Sequence, residues 1–163
     1  MNGTARGVLA LLTIALACTR EKSPDEIEWK SFVGDLNIGD LTLAHPVTAG
    51  ETGIFLRLWN SGEEVDTLME VDLAGFGRVS LHRTTITDGI SRMEPESSVV
   101  IGPGELVALE PGGLHAMVQG LPGALVLGDS IFIRLHFARS GMAFGHARVR
   151  SYQEIAELFD PGE

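Results

Sequence analysis

Cysteine is nearly absent from this chain, because Cys18 is the single cysteine among 163 residues. Cys18 closes a short apolar run near the start, so a domain beyond it has no second thiol for a disulfide or a thiolate metal site. Any metal that such a domain binds must therefore be held by imidazole, thioether or oxygen donors.

Positive charge is also scarce, since 12 lysines and arginines stand against 22 acidic residues and the formal net charge is −10. Nucleic-acid binding depends on clustered Lys and Arg side chains that neutralise phosphates. The composition therefore argues against nucleic acid as a partner. It also argues against electrostatic attachment to an anionic membrane, so membrane contact would need a lipid anchor.

The sequence has no apolar run of membrane-spanning length, because the run from Val8 to Ala17 is too short for a stable transmembrane helix. Arg6 precedes this run, and Cys18 follows it before the polar segment "TREKSPDE". This arrangement resembles a bacterial lipoprotein signal that is cut before a lipidated cysteine, whereas a plain secretory signal is the alternative. We expect a periplasmic protein that is anchored to a membrane through Cys18.

We predict three segments: a lipoprotein-type signal over residues 1–18, a polar tether over 19–30, and one folded domain over 31–163. Within the third segment, glycine and proline recur at short intervals, as in "GDLNIGD", "HPVTAGETG" and "EPGG". The runs between them, such as "GIFLRLW" and "RVSLHRTTIT", are rich in Val, Ile, Leu, Phe and Thr. This spacing predicts an all-β sandwich or barrel.

Two local patterns support this prediction. Apolar and other residues alternate over 131–137, the period of a strand with one buried face. At the end of the chain, Ser151 and Glu154 form a capping-box pattern and Pro161 ends the segment, which predicts a short C-terminal helix. The apolar face of this helix, expected to pack on the domain itself, consists of Ile155, Leu158 and Phe159.

Two possible metal donors, His82 and Met93, flank a predicted β-hairpin. The dipeptide Asp88-Gly89 is typical of a two-residue turn between antiparallel strands. Such a turn would place Met93 opposite Thr84 and one diagonal step from His82 on the same face. Diagonal neighbours lie roughly 7–8 Å apart, which is close enough for a long thioether and an imidazole to share one ion.

A second donor pair, His115 and Met117, is separated by one residue and therefore points to one side of a strand. Two imidazoles and two thioethers form a soft, neutral set that favours Cu(I) over Ca²⁺, Mg²⁺ or structural Zn²⁺. A blue-copper electron-transfer site would need a cysteine sulfur. The donor types therefore predict a protein that carries Cu(I) rather than one that shuttles electrons.

The gaps between His82, Met93, His115 and Met117 are ten, twenty-one and one residues. This spacing resembles the signature of the periplasmic copper chaperone family PCu(A)C. The segment "DGISRM" is similar to the family's Asp-Gly-x-x-x-Met, and "LEPGGLHAMVQGL" is similar to its Pro-Gly-Gly-x-His-x-Met segment. The resemblance extends approximately from Gly50 to Val149.

The resemblance implies a cupredoxin-like Greek-key β-sandwich, here with the short C-terminal helix, and Cu(I) bound by these four side chains. It also implies delivery of copper toward the CuA centre of cytochrome c oxidase, with a Sco-type protein or the CuA subunit as partner. Buffering of periplasmic copper is a further reading. Some members carry a His- and Met-rich C-terminal tail that takes Cu(II), but this chain has no histidine after His146.

The remaining histidines and methionines lack a supporting pattern. We interpret His45, His136 and His146 as solvated or hydrogen-bonded, and Met69 and Met142 as ordinary core or surface residues. The sequence shows no catalytic elbow, phosphate-binding loop or HExxH motif, so we expect no enzyme. The alternative function is a metal-free lipoprotein β-sandwich that serves as an assembly or adhesion module.

Overall fold

The computed structural model describes residues 22–47, 50–73, 75–121, 123 and 125–160. The predicted signal segment and Cys18 lie outside these residues. Within them, no helix has the length and apolar character needed to cross a membrane.

The described part of the chain is built almost entirely of strands that follow one another through short turns. Its elements are a 3-10 turn (Pro24–Glu26), β1 (Trp29–Val33), β2 (Leu36–Ala44), β3 (Glu51–Asn60), β4 (Asp66–Leu73), β5 (Arg78–Thr87), β6 (Ile90–Glu96), β7 (Val99–Ile101), β8 (Leu106–Leu109), β9 (Leu114–Gln119), β10 (Ser130–Phe137), β11 (Gly141–Arg150) and helix α1 (Tyr152–Phe159). The predicted all-β architecture with a short C-terminal helix is confirmed.

The strands form one continuous hydrogen-bonded path in the order β6-β5-β9-β3-β2-β11-β10-β4-β7, with β1 added to β2 and β8 added to β3. Most neighbours are antiparallel, whereas β11 and β2 run parallel. The path curls over on itself, so that β4 approaches β5 and β7 approaches β3. Leu, Ile and Val side chains from both ends of the path fill one core between the resulting layers.

The alternation predicted for β10 is present, because every second residue from Ile131 to Phe137 is buried. β2 differs from the expectation, since "GDLNIGD" is one of the segments that the glycine and proline spacing places between strands, and yet it lies largely within this strand. The strand accommodates it with a bulge in its pairing to β3, where Asp40 adopts a left-handed φ of 51°. The Asp40 carboxylate pairs there with Arg57, which is buried.

The predicted tether over 19–30 overlaps the folded domain. Ile27 is buried, and the Trp29 indole donates a hydrogen bond of 3.0 Å to the Pro24 carbonyl. β1 already begins at Trp29. The expected boundary after residue 30 therefore lies inside β1, because apolar residues in an otherwise polar segment pack onto the domain.

Helix α1 has the predicted capping box: the Ser151 side chain accepts from the Glu154 amide, and Glu154 accepts from the Ser151 amide. Its apolar face packs on the domain, where Ile155 and Phe159 meet Phe55 of β3. The Arg57 guanidinium holds the far end of the helix by donating to the Leu158 carbonyl, and it lies 4.4 Å from the Phe159 ring centroid. The helix is thereby fixed on the outer face of β3.

Asp66 ties β4 to the turn between β10 and β11. Its carboxylate accepts hydrogen bonds from the amides of Thr67, Arg139 and Ser140. Burial by itself raises the pKa of Asp66, but these hydrogen bonds, with the Ser140 side chain, hold that pKa below its ordinary value. The ionised carboxylate therefore stabilises the fold.

We expect Asp66→Asn to lower the free energy of unfolding at pH 7 by about 1–3 kcal/mol, because an amide cannot accept all of these hydrogen bonds. A carboxyl with a depressed pKa contributes stability above its unfolded pKa of about 3.9 and loses that contribution as the pH falls through its folded value. Urea unfolding should therefore show a difference in the free energy of unfolding between the wild type and Asp66→Asn that becomes smaller below about pH 4. Asp72→Asn, at a partly exposed ion pair with Arg134, is the control and should cost less than about 1 kcal/mol. A difference in the free energy of unfolding that stays constant down to pH 2 would contradict this role of the Asp66 carboxylate.

Candidate metal centre

The strand register brings all four predicted donors to one face of the sheet. In the β5–β9 pair, His82 lies opposite His115 and Ser80 lies opposite Met117. In the β5–β6 pair, Met93 lies opposite Thr84 as predicted. Residues directly opposite each other share a face, and so do residues two apart on one strand. The diagonal relation between His82 and Met93 is therefore present.

The hairpin turn that fixes the position of Met93 has the predicted form. Thr87 pairs with Ile90, which leaves Asp88 and Gly89 as the two turn residues. Both adopt left-handed conformations, with φ of 53° and 75°. A type I′ turn requires these angles, and the Asp-Gly sequence supplies them at little cost.

The two imidazoles lie against each other, with ring centroids 5.9 Å apart and an angle of 22° between the ring planes. His115 is buried, with 7% of its surface exposed, whereas His82 is half-buried. His115 Nδ1 lies 3.0 Å from the Gly113 carbonyl oxygen. His82 Nε2 lies 2.7 Å from Ser80 Oγ.

The turn over residues 110–113 explains how the "PGG" sequence serves the site. Gly112 has a φ of 79°, a conformation that favours glycine. This geometry directs the Gly113 carbonyl toward two donors, His115 Nδ1 and the Thr84 amide, each 3.0 Å away. The turn thus ties β9 to β5 and orients the buried imidazole.

A cavity of about 280 Å³ opens beside the buried imidazole, and His115, Met93 and Met117 line it. Gly53 of β3 lies opposite Met117, and its lack of a side chain makes room for the Phe55 ring, because a Cβ at Gly53 would come 2.6 Å from that ring. His82 is not among the lining residues, although its ring lies beside that of His115. Three of the four predicted donors therefore line the cavity, and the fourth, His82, lies beside it.

The cavity wall is mostly neutral and partly open to solvent. Much of its lining is apolar or aromatic, contributed by Phe55, Tyr152, Val47 and Pro111. Met93 is 49% exposed and belongs to neither core cluster. A half-exposed methionine is not there to fill a core, so its thioether is available to a ligand.

Hard donors are few at this site. Glu51 lines the cavity, and its carboxylate accepts a hydrogen bond of 3.2 Å from Gln119. Nowhere in the described ranges do three His, Cys, Asp or Glu side chains come together as a metal site. A complete donor set at this place therefore needs the thioethers, which favours a soft ion.

None of the other histidines and methionines that the structure describes lines this cavity. His146 stacks edge-on against Phe132, with ring centroids 5.5 Å apart. His136 and Met142 are cross-strand partners on β10 and β11, and Met142 is 44% exposed. Met69 is likewise exposed on β4.

Sequence reasoning missed several residues that shape the site. Ser80 had a detectable signal, since it stands two residues before His82 and so shares its face. The sequence gives no signal for Phe55 and Tyr152, because they come to the same cavity through the packing of helix α1 next to β3, and no local sequence pattern predicts that packing. Gly53 was visible as a glycine in a strand, which often marks a close approach.

The family model described as "Putative lipoprotein LpqE-like" matches residues 36–149, from the start of β2 nearly to the end of β11. Lxx21020 of Leifsonia xyli subsp. xyli (strain CTCB07), whose name also gives it as a lipoprotein, is 30% identical over 91 residues. That match covers 55% of this chain and 55% of the relative, so the chain spans about half the length of the curated relative.

Solved structures share the fold. The copper-bound PCuAC domain from PmoF2 matches with a TM-score of 0.64 at 22% identity, covering 75% of this chain and 98% of that domain. The apo PCuAC domain from PmoF1 matches with a TM-score of 0.65 at 21% identity, and the match covers 75% of this chain and 99% of that domain. CuI-DR1885 from Deinococcus radiodurans matches with a TM-score of 0.58 at 20% identity, and the match covers 76% of this chain and 82% of that protein. At these identities the likeness shows the fold, and it confirms the cupredoxin-like β-sandwich that the PCu(A)C resemblance implied.

Proposed function

The chain belongs to the LpqE-like lipoprotein family, and we propose that its domain is an extracytoplasmic Cu(I) carrier. The proposed ligands are His82, Met93, His115 and Met117. The observation that carries the proposal is the register of β6, β5 and β9, which sets these side chains on one face. Two solved structures of the same fold, the PmoF2 domain and DR1885, are described as copper-bound and Cu(I)-bound.

The chemistry of the site supports this choice of ion. Met93 and Met117 offer neutral sulfur donors, and His115 offers a nitrogen within a cavity that has little charge of its own. Thioether sulfur favours Cu(I), whereas Cu(II) prefers nitrogen and oxygen donors in a tetragonal arrangement. The half-exposed Met93 leaves the ion reachable from solvent, as a carrier needs.

Purified wild-type protein should take one equivalent of Cu(I) from a chromogenic chelator. The Met93→Leu, Met117→Leu double variant should lose more than about 100-fold in Cu(I) affinity, since even partners outside the ligand set change metal affinity by about 10- to 100-fold. Its Cu(II) affinity should change much less. Chelator competition under anaerobic conditions measures the first quantity, and titration with Cu(II) measures the second.

The matched control is Met142→Leu, because Met142 is exposed to a similar degree on a different part of the sheet. It should bind Cu(I) like the wild type. Unfolding of the metal-free double variant should differ from wild type by less than about 1.5 kcal/mol, as a volume-conserving exchange does. Loss of stability with retained Cu(I) binding would show that Met93 and Met117 are packing residues. A wild type that fails to compete would leave the metal-free assembly or adhesion module as the better function.

We further propose that the carrier delivers copper toward the CuA centre of cytochrome c oxidase or buffers periplasmic copper. The support is the PCu(A)C resemblance together with a site open at Met93. A Sco-type protein or the CuA subunit would be the partner in delivery. A deletion strain grown under copper limitation should then lose oxidase activity, and the Met93→Leu, Met117→Leu gene should not restore it. Normal oxidase activity in that strain would favour buffering.

The proposed anchor is a lipid on Cys18, which lies outside the described residues. Its support is the sequence pattern of residues 1–18 and the family description as lipoproteins. Replacing Cys18 with Ala should shift the protein from the membrane fraction to the soluble fraction or block its processing, because the acyl chains are lost. Immunoblots of both fractions measure this. Unchanged processing and membrane association would leave a plain secretory signal.

A further inference from the structure

The hydrogen bond of His115 fixes its tautomer. A carbonyl oxygen can only accept, so the contact of 3.0 Å to Gly113 requires a proton on His115 Nδ1. In the neutral imidazole, Nε2 then keeps its lone pair and is the nitrogen that can bind metal. The same carbonyl also accepts from the Thr84 amide, which holds it in place between β5 and the turn.

The hydrogen bond of His82 engages the opposite nitrogen. Ser80 Oγ lies 2.7 Å from Nε2, and a hydroxyl can donate or accept. In either case the Nε2 lone pair is occupied or absent while this contact lasts. If Ser80 donates to Nε2, then Nδ1 of a neutral His82 carries the proton and the ring has no free lone pair for a metal. If Nε2 is protonated and donates to Ser80 Oγ, Nδ1 keeps its lone pair, so metal binding with this contact intact requires the second arrangement.

From these two contacts we propose that the paired imidazoles bind Cu(I) through opposite nitrogens, His115 through Nε2 and His82 through Nδ1, and that Ser80 is the positioning residue for His82. This inference rests on the proposed function. It adds to that function the ligating atom of each ring and a residue outside the ligand set.

The arrangement follows a general feature of metal-bound histidines. The ring nitrogen that does not bind metal almost always donates to a fixed acceptor, which sets the tautomer and the ring orientation. Gly113 provides that acceptor for His115, and Ser80 provides it for His82. Ser80 is held by its pairing with Met117 across β5 and β9, and the Gly113 carbonyl is held by the hydrogen bond from the Thr84 amide.

Ser80 matters most because His82 is the donor that does not line the cavity. Without Ser80, the half-buried ring of His82 would lose the hydrogen bond that engages its Nε2. The Ser80 contact keeps it beside the His115 ring, with centroids 5.9 Å apart. Because the His82 side chain is already ordered before the ion binds, binding costs less conformational entropy and is therefore favoured.

The tautomers can be read directly by long-range ¹H–¹⁵N correlation spectra of the histidine rings in uniformly ¹⁵N-labelled full domain, without metal and with one equivalent of Cu(I). We expect the Cu(I)-induced shift at Nε2 of His115 and at Nδ1 of His82. Binding of both rings through Nε2 would overturn the proposal, since the Ser80 contact would then be broken. Absence of any Cu(I)-induced change in all four nitrogens would count against the proposed function itself.

A variant series tests the role of Ser80. Ser80→Ala should weaken Cu(I) binding by about 10- to 100-fold and remove the protonated Nε2 signature of His82 in the same spectra. Ser80→Thr keeps a hydroxyl on a strand and should restore both. Thr85→Ala, on the same strand with its exposed side chain on the opposite face, should bind like the wild type. Unchanged or tighter binding by Ser80→Ala, with a normal unfolding curve, would show that Ser80 does not position the ligand.

Discussion

The pairing of β5 with β9 is the constraint on which the site depends. Side chains alternate between the two faces of a strand, so a shift of one residue in this register would move His82 away from His115 and turn apolar side chains toward solvent. Leu81 and Ala116, on the other face, are buried in the core and therefore fix the register. Core packing on one face thus determines which donors meet on the other.

The outer face is shaped by a second set of contacts, those of helix α1. The buried Arg57, paired with Asp40, holds the helix over β3 through the Leu158 carbonyl and the Phe159 ring. Phe55 and Tyr152 then become a wall of the cavity. A buried ion pair is a poor source of net stability, but leaving one charge unpaired is costly, so Arg57 and Asp40 specify one position for the helix.

Local chemistry explains which features the sequence predicted. Asp88-Gly89 specifies its own turn, and once the turn is known the period of two places Met93 opposite Thr84. The capping box of α1 and the alternation in β10 are also local, and both are present. β2 was missed because the glycine- and aspartate-containing segment at its bulge resembles a turn sequence. The cavity wall from α1 arises from contacts between residues about a hundred positions apart, which no local pattern records.

The position of β6 at the end of the strand path has a dynamic consequence. A terminal strand has a neighbour on one side, and most of β6 is exposed, so its local opening should require much less free energy than global unfolding. His115 and Met117 lie instead on β9, which is paired on both sides. Fraying of one hairpin can therefore detach Met93 while the core stays folded. Within the proposed ligand set, we therefore expect the Met93 thioether to exchange faster than the donors on β9.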